Sequence, residues 1–267
     1  KDYERANRVR QAALHYEKFT KLFSTDDRYF DALWRQSVIY RKLRVIKKAE
    51  KAENQLLAAY TNRTRRKRTV PAQAADYASQ IAVFRTNKDF AKYARQKLKP
   101  LNLKRPKKFQ QSMQDKAEKR DRLIASYGKV VTQYKQATAT IASLSKIAST
   151  WDNFVNTLLQ VPCPRSLTEE QCTFFKEGLQ EKMSNARESA YQAYVTCVTK
   201  SNELGVFTDE SRNCVKALED IDPVAYPKIE EQQVTFDAKK QPLVIEPRPF
   251  IFSADSNKPS SVILFSS

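Results

Sequence analysis

Apolar side chains recur every three or four positions along most of this chain, the spacing of one face of an amphipathic helix. Tyr16, Phe19, Leu22 and Phe23 mark a first stripe, which the polar run at 24–27 interrupts. That run offers caps for a second stripe of Phe30, Leu33, Trp34 and Val38. Ala49, Leu56, Ala59 and Tyr60 continue on a third. Another helix is expected from 71 to about 99, with Tyr77, Ile81, Phe84, Phe90 and Tyr93 as its apolar members. Residues 113–159 keep the spacing without a proline. They read as two stacked antiparallel helices broken near 137–140, where helix propensity is weakest. Residues 181–204 and 209–220 predict two more helices. Gly205 stands at a C-cap position between them, and Thr208 or Asp209 at the next N-cap.

Beyond Pro223 and Pro227 the pattern changes to β-branched and aromatic residues interleaved with proline. Short strands at 243–245, 250–252 and 262–265 are one reading of it. The density of proline favours the other, an extended tail over 231–267 that wraps the helical body or a partner.

Composition supports the helical reading. Glycine makes up only 3 of 267 residues, against a usual share of about 7%. Many-stranded sheets, dinucleotide crossovers and phosphate loops all need more of it. The expected class is all-α, a TPR-like solenoid of antiparallel helix hairpins. No apolar run approaches the ~18–20 residues of a membrane span.

Charge divides the chain. Residues 151–267 hold 12 basic and 17 acidic side chains, leaving 36 basic and 13 acidic in 1–150, or −5 against +23. The expected organisation is a basic TPR-like region at 1–150, a braced hairpin region at 151–230 that continues it, and the tail.

All four cysteines lie in the acidic part. Cys197 and Cys214 are symmetric about the turn at Gly205, so in an antiparallel hairpin they sit at the same height and can bridge. Cys163 and Cys172 enclose a loop and a helix start, which also suits a bridge. Four reduced thiols remain the alternative. Zinc is disfavoured, because no CxxC pair exists and the single histidine, His15, is far off. Two disulfides in an oxidising compartment is the expectation.

A run of hairpins raises the question of repeats. Leu33, Ser37, Tyr40 and Ala49 match the offsets of a TPR repeat, and Glu53 and Leu56 half-match its last two positions. Shifted upstream by one repeat, Phe19 and Leu22 fit, with His15 in the small-residue slot. The acidic part carries more. Trp151, Phe154 and Leu159 precede Pro162 and Pro164, then Leu167-Thr168-Glu169-Glu170. Ala190, Ala193, Tyr194 and Cys197 follow, then Leu204-Gly205-Val206-Phe207, closing with Pro223, Tyr226 and Pro227. This segment, 151–227, resembles the C-terminal region of TPR-containing cell-envelope proteins of myxobacteria and related predatory bacteria, a family that includes components associated with gliding motility. The resemblance implies a periplasmic, non-catalytic scaffold.

No catalytic, metal or cofactor site is expected: GxSxG, HExxH and a glycine-rich phosphate loop are all missing. Glu169 and Glu170 fit a helix N-terminus better than acid–base work. The candidate binding residues are two basic runs, Arg63, Arg65, Arg66, Lys67 and Arg68, then Lys104, Arg105, Lys107 and Lys108. Such clusters suit an acidic protein in an envelope complex, or an anionic glycan or lipid headgroup. A nucleic-acid-binding helical protein is the competing, less favoured class, since the aromatic residues sit at core spacing.

Overall fold

A computed structural model of the chain describes residues 8–164 and 166–228. The expected tail at 231–267, with its short strands, lies outside the described residues. Those described are all helical, with no strand among them. Eight helices follow one another: α1 Val9–Leu22, α2 Arg28–Lys42, α3 Ile46–Arg65, α4 Ala72–Ala94, α5 Lys107–Tyr134, α6 Ala137–Leu159, α7 Glu169–Leu204 and α8 Asp209–Ile221. They belong to one compact unit, and the charge boundary at 150 falls inside α6.

Each helix packs on its successor, and α2, α4, α6 and α8 also pack on one another in that order. Cross-helix contacts fix the directions. Arg41 of α2 meets Glu53 of α3, and Phe30 lies under Arg63, so later residues of one helix oppose earlier ones of the next. Between α2 and α4 the order is preserved: Trp34 stacks on Tyr77 and Arg41 lies over Phe84. Tyr93 and Ala94 of α4 likewise follow Thr150 and Asn153 of α6. Successive helices are thus antiparallel and alternate ones parallel.

The core is built from the stripes with small residues at the crossings. Leu33, Leu56, Ala74 and Ala78 are fully buried where α2, α3 and α4 meet. All six TPR-offset positions of the second hairpin, Leu33, Ser37, Tyr40, Ala49, Glu53 and Leu56, are buried. The upstream copy fares differently, since Leu22 is 74% exposed. Ala12 and Ala13, rather than Leu22 and Phe23, form the buried face of α1. Val38 and Phe84 are also exposed, the latter beneath the cations of Arg41 and Lys88.

Two boundaries depart from the sequence pattern. The break in 113–159 falls at Lys135, whose left-handed φ of 52° ends α5, followed by extended Gln136. And α7 starts at Glu169, not near 181, giving one helix of 36 residues. Thr168 caps it by accepting from the Gln171 amide, while the Gln171 side chain accepts from the Thr168 amide, a reciprocal capping box. Glu169 and Glu170 fill its first turn, where they complement the helix dipole. Gly205 ends the helix at φ 61°, and Thr208 starts α8 with a second capping box through Ser211.

Both cysteine pairs are disulfides. Cys197 of α7 and Cys214 of α8 have Cα atoms 6.3 Å apart and are completely buried beside Ile141, Ala148 and Leu218. Cys163 and Cys172, with Cα atoms 5.7 Å apart, tie the α6–α7 connection to the first turn of α7. No helix among the described residues is long and apolar enough to cross a membrane.

Candidate functional site

The first basic run ends α3. Lys67 adopts the left-handed conformation at φ 51°, and the Arg68 amide donates back to the Arg63 carbonyl at 2.9 Å, so the chain turns tightly inside the run. Cations there complement the negative end of the α3 dipole. The five side chains part company at this turn. Arg63 is structural: it is paired with Asp27 at 3.0 Å, donates to the Thr25 carbonyl at 3.0 Å and lies 5.0 Å over the Phe30 ring. Arg65, Arg66, Lys67 and Arg68 are exposed. Arg66 and Arg68, with Arg63, Asn62, Ser24 and Thr25, line an open cleft of about 340 Å³ between this turn and the α1–α2 loop.

The second run begins α5. Asn102 folds the loop by accepting from the Lys104 amide at 2.9 Å on its side chain and from the Arg105 amide on its carbonyl. Pro106 then starts the helix. Lys107 and Lys108 occupy its first turn, where cations oppose the dipole, so helix stability does not account for them. Lys104, Arg105, Lys107 and Lys108 are all exposed. The two runs do not meet. They lie at opposite ends of the 23-residue α4, roughly 34 Å apart at 1.5 Å per residue.

Pairing decides how much of the charge reaches solvent. Asp26 holds Arg28, whose hydrogen bonds pull its carboxyl down to about 2. Glu17 is lowered by the hydroxyl of Tyr40, which donates at 2.9 Å, and by Lys48 and Lys21. Asp31 holds Arg35 and accepts from Tyr77. Glu50 meets Lys88, and Glu53, with 2% exposure, lies between Arg41 and Arg85. Asp89, Glu118 and Asp121 pair within their own helices. Among the described residues of this part every carboxylate is paired with a cation except Asp76 and Asp115, which accept from glutamine side chains, and the excess cations stand on its surface.

Sequence reasoning missed two groups. One is Lys116, buried outright, whose ammonium donates to the carbonyls of Gln96 at 2.8 Å and Tyr93 at 3.4 Å and to the Asn153 side chain at 2.9 Å. It satisfies carbonyls at the C-terminal end of α4 and just past it, and burial brings its pKa down to about 8. The buried stripe Phe109, Ser112, Lys116, Leu123, Tyr127, Val130 and Tyr134 runs through it at heptad spacing. That register was the available signal. The other is the pair Asp152 and Tyr194, in which the tyrosine donates across the α6–α7 interface; burial raises the pKa of both.

Among the described residues no group of His, Cys, Asp and Glu is placed to hold a metal ion. Comparison with protein-family models, with curated proteins and with solved structures matches none of them.

Proposed function

We propose that this chain is a non-catalytic, TPR-like scaffold that joins proteins in a bacterial envelope assembly, its cationic N-terminal part engaging an acidic partner. The observation that carries the reading is the pairing pattern: most described carboxylates of that part are paired with cations, while Arg65, Arg66, Lys67 and Arg68 are exposed and Arg66 and Arg68 line an open cleft. Arginine there presents a bidentate fork to carboxylates. Helices that pack both on their successor and in an alternating layer support the solenoid reading. Two disulfides support the periplasm, as does the resemblance of 151–227 to envelope proteins.

The test compares pulldowns from native envelope extract with the wild type and with Arg65→Ser/Arg66→Ser/Lys67→Ser/Arg68→Ser. Arg63 stays, because it holds the α1–α2 loop. The expected result is an acidic protein retained by the wild type at low salt and lost from the variant. The same partners on both proteins would overturn the reading.

A further inference from the structure

We propose that the end of the helix stack formed by the α2–α3 turn and the α4–α5 connection docks on an anionic lipid surface. It lies opposite the Arg63–Arg68 cleft and does not rest on the adaptor reading.

Topology assembles this end. Because α2 and α4 are parallel neighbours, their C-termini point to the same end of the stack, α4 running ten residues past the level of Arg41, about 15 Å at 1.5 Å per residue, and the starts of α3 and α5 return at that end. Two segments distant in sequence therefore crown the same end of the stack as a stepped surface. The first contributes exposed Lys42, Arg44 and Lys47. The second, residues 95–108, holds seven cations and no acid. The nearest carboxylate after the first turn, Glu50, is already taken by Lys88. Lys97 and Lys99 also line a cleft of about 260 Å³ against Val161 and Pro162, with room for a phosphate headgroup. The face ends at the α6–α7 connection, where Glu169 and Glu170 are exposed.

Charge alone would suit any polyanion. The apolar residues choose among them. Val45 and Ile46 in the first turn and Leu103 in the second are 39%, 44% and 49% exposed, protruding among the cations. Aliphatic side chains at the tips of cationic loops gain by entering the headgroup–acyl boundary, while the lysines meet anionic headgroups. A nucleic-acid surface would call for stacking rings, and 42–47 and 95–108 contain no aromatic residue.

The test is sedimentation of the whole chain with vesicles of phosphatidylcholine, with and without phosphatidylglycerol. Binding is expected only with the anionic lipid. Lys104→Ser/Arg105→Ser/Lys107→Ser/Lys108→Ser should weaken it by about tenfold or more. Val45→Ser/Leu103→Ser should bind at low salt and release at raised salt, where the wild type still holds. Arg66→Ser/Arg68→Ser, at the other end, should bind as the wild type does. Circular dichroism checks that each variant keeps its helices. Failure to bind phosphatidylglycerol vesicles would overturn the proposal. So would equal losses from both ends, which would mean net charge alone, or preferential binding of duplex DNA, which would assign the face to nucleic acid.

Discussion

Lys116 of α5 and Asn153 of α6 meet at 2.9 Å in the interior, and the three oxygens around that ammonium are all neutral. A buried cation without a carboxylate is held at a cost, so stability should follow its titration. Its folded pKa of about 8 lies below the ordinary 10.5. Below about 8 both states are protonated and the full cost of burying the charge is present. Between about 8 and 10.5 the unfolded chain binds more protons, so stability rises with pH. The shift corresponds to roughly 3 kcal/mol. Above 10 the trend reverses: burial raises the pKa values of Tyr93, Tyr127 and Tyr194 in the folded protein, and ionisation then favours unfolding. Lys116→Met removes the first effect and leaves the second. It also strands the oxygens, costing about 2 kcal/mol at pH 7. Urea midpoints of the two proteins across pH 7–10 should diverge; curves that stay parallel would refute the assignment.

Glu53 carries the two guanidinium groups that join α2, α3 and α4. Glu53→Gln leaves both without a counter-charge. Because Arg41 and Arg85 are partly exposed, a loss of about 2–4 kcal/mol is expected, at the lower side of a fully buried pair. Thermal unfolding should show it, and Arg85→Ala should cost less than Glu53→Gln.

The disulfides should differ in weight. Closing 17 residues, Cys197–Cys214 is worth about 3 kcal/mol in chain entropy, and the nine-residue Cys163–Cys172 loop slightly less. Serine at 197 and 214 would also place hydroxyls in a sealed apolar cluster. Cys197→Ser/Cys214→Ser should therefore destabilise clearly more than Cys163→Ser/Cys172→Ser in denaturant titrations. Intact mass without reduction should be lower by two hydrogens for each bridge.

Alanine should act in opposite directions at two glycines. Gly205 sits at φ 61°, where a side chain is strained, so Gly205→Ala should cost about 1 kcal/mol. Gly128 lies inside α5 with nothing within 4 Å of an added Cβ. Gly128→Ala should stabilise by about 0.5–1 kcal/mol. Chemical denaturation of both variants distinguishes the signs.

Where the sequence showed its structure, the chemistry was local. The caps at Gly205 and Thr208 need only neighbouring residues, and the Cys197–Cys214 pairing follows from symmetry about one turn. Where it misled, tertiary packing had decided. Lys135 takes a left-handed conformation that its residue type does not announce. The first turns of α7 are largely polar, with Phe174 72% exposed, so they carry no stripe and are helical through the cap and propensity. The partners of Lys116 and Glu53 come from other helices and cannot be seen along one stripe. The basic runs were visible as composition. That Lys104–Lys108 would lie toward the same end of the stack as Lys42–Lys47, and far from Arg63–Arg68, required the parallel course of α2 and α4.

The bridges have one more property: they are consecutive. Cys163 pairs with the next cysteine along the chain, Cys172, and Cys197 with the next after it, Cys214. A chain that meets an oxidant while emerging from its N-terminus therefore presents each thiol first to its native partner. Order of appearance alone then selects one pairing out of the three that four cysteines allow. Oxidation can run to completion without a wrong bond having to be undone.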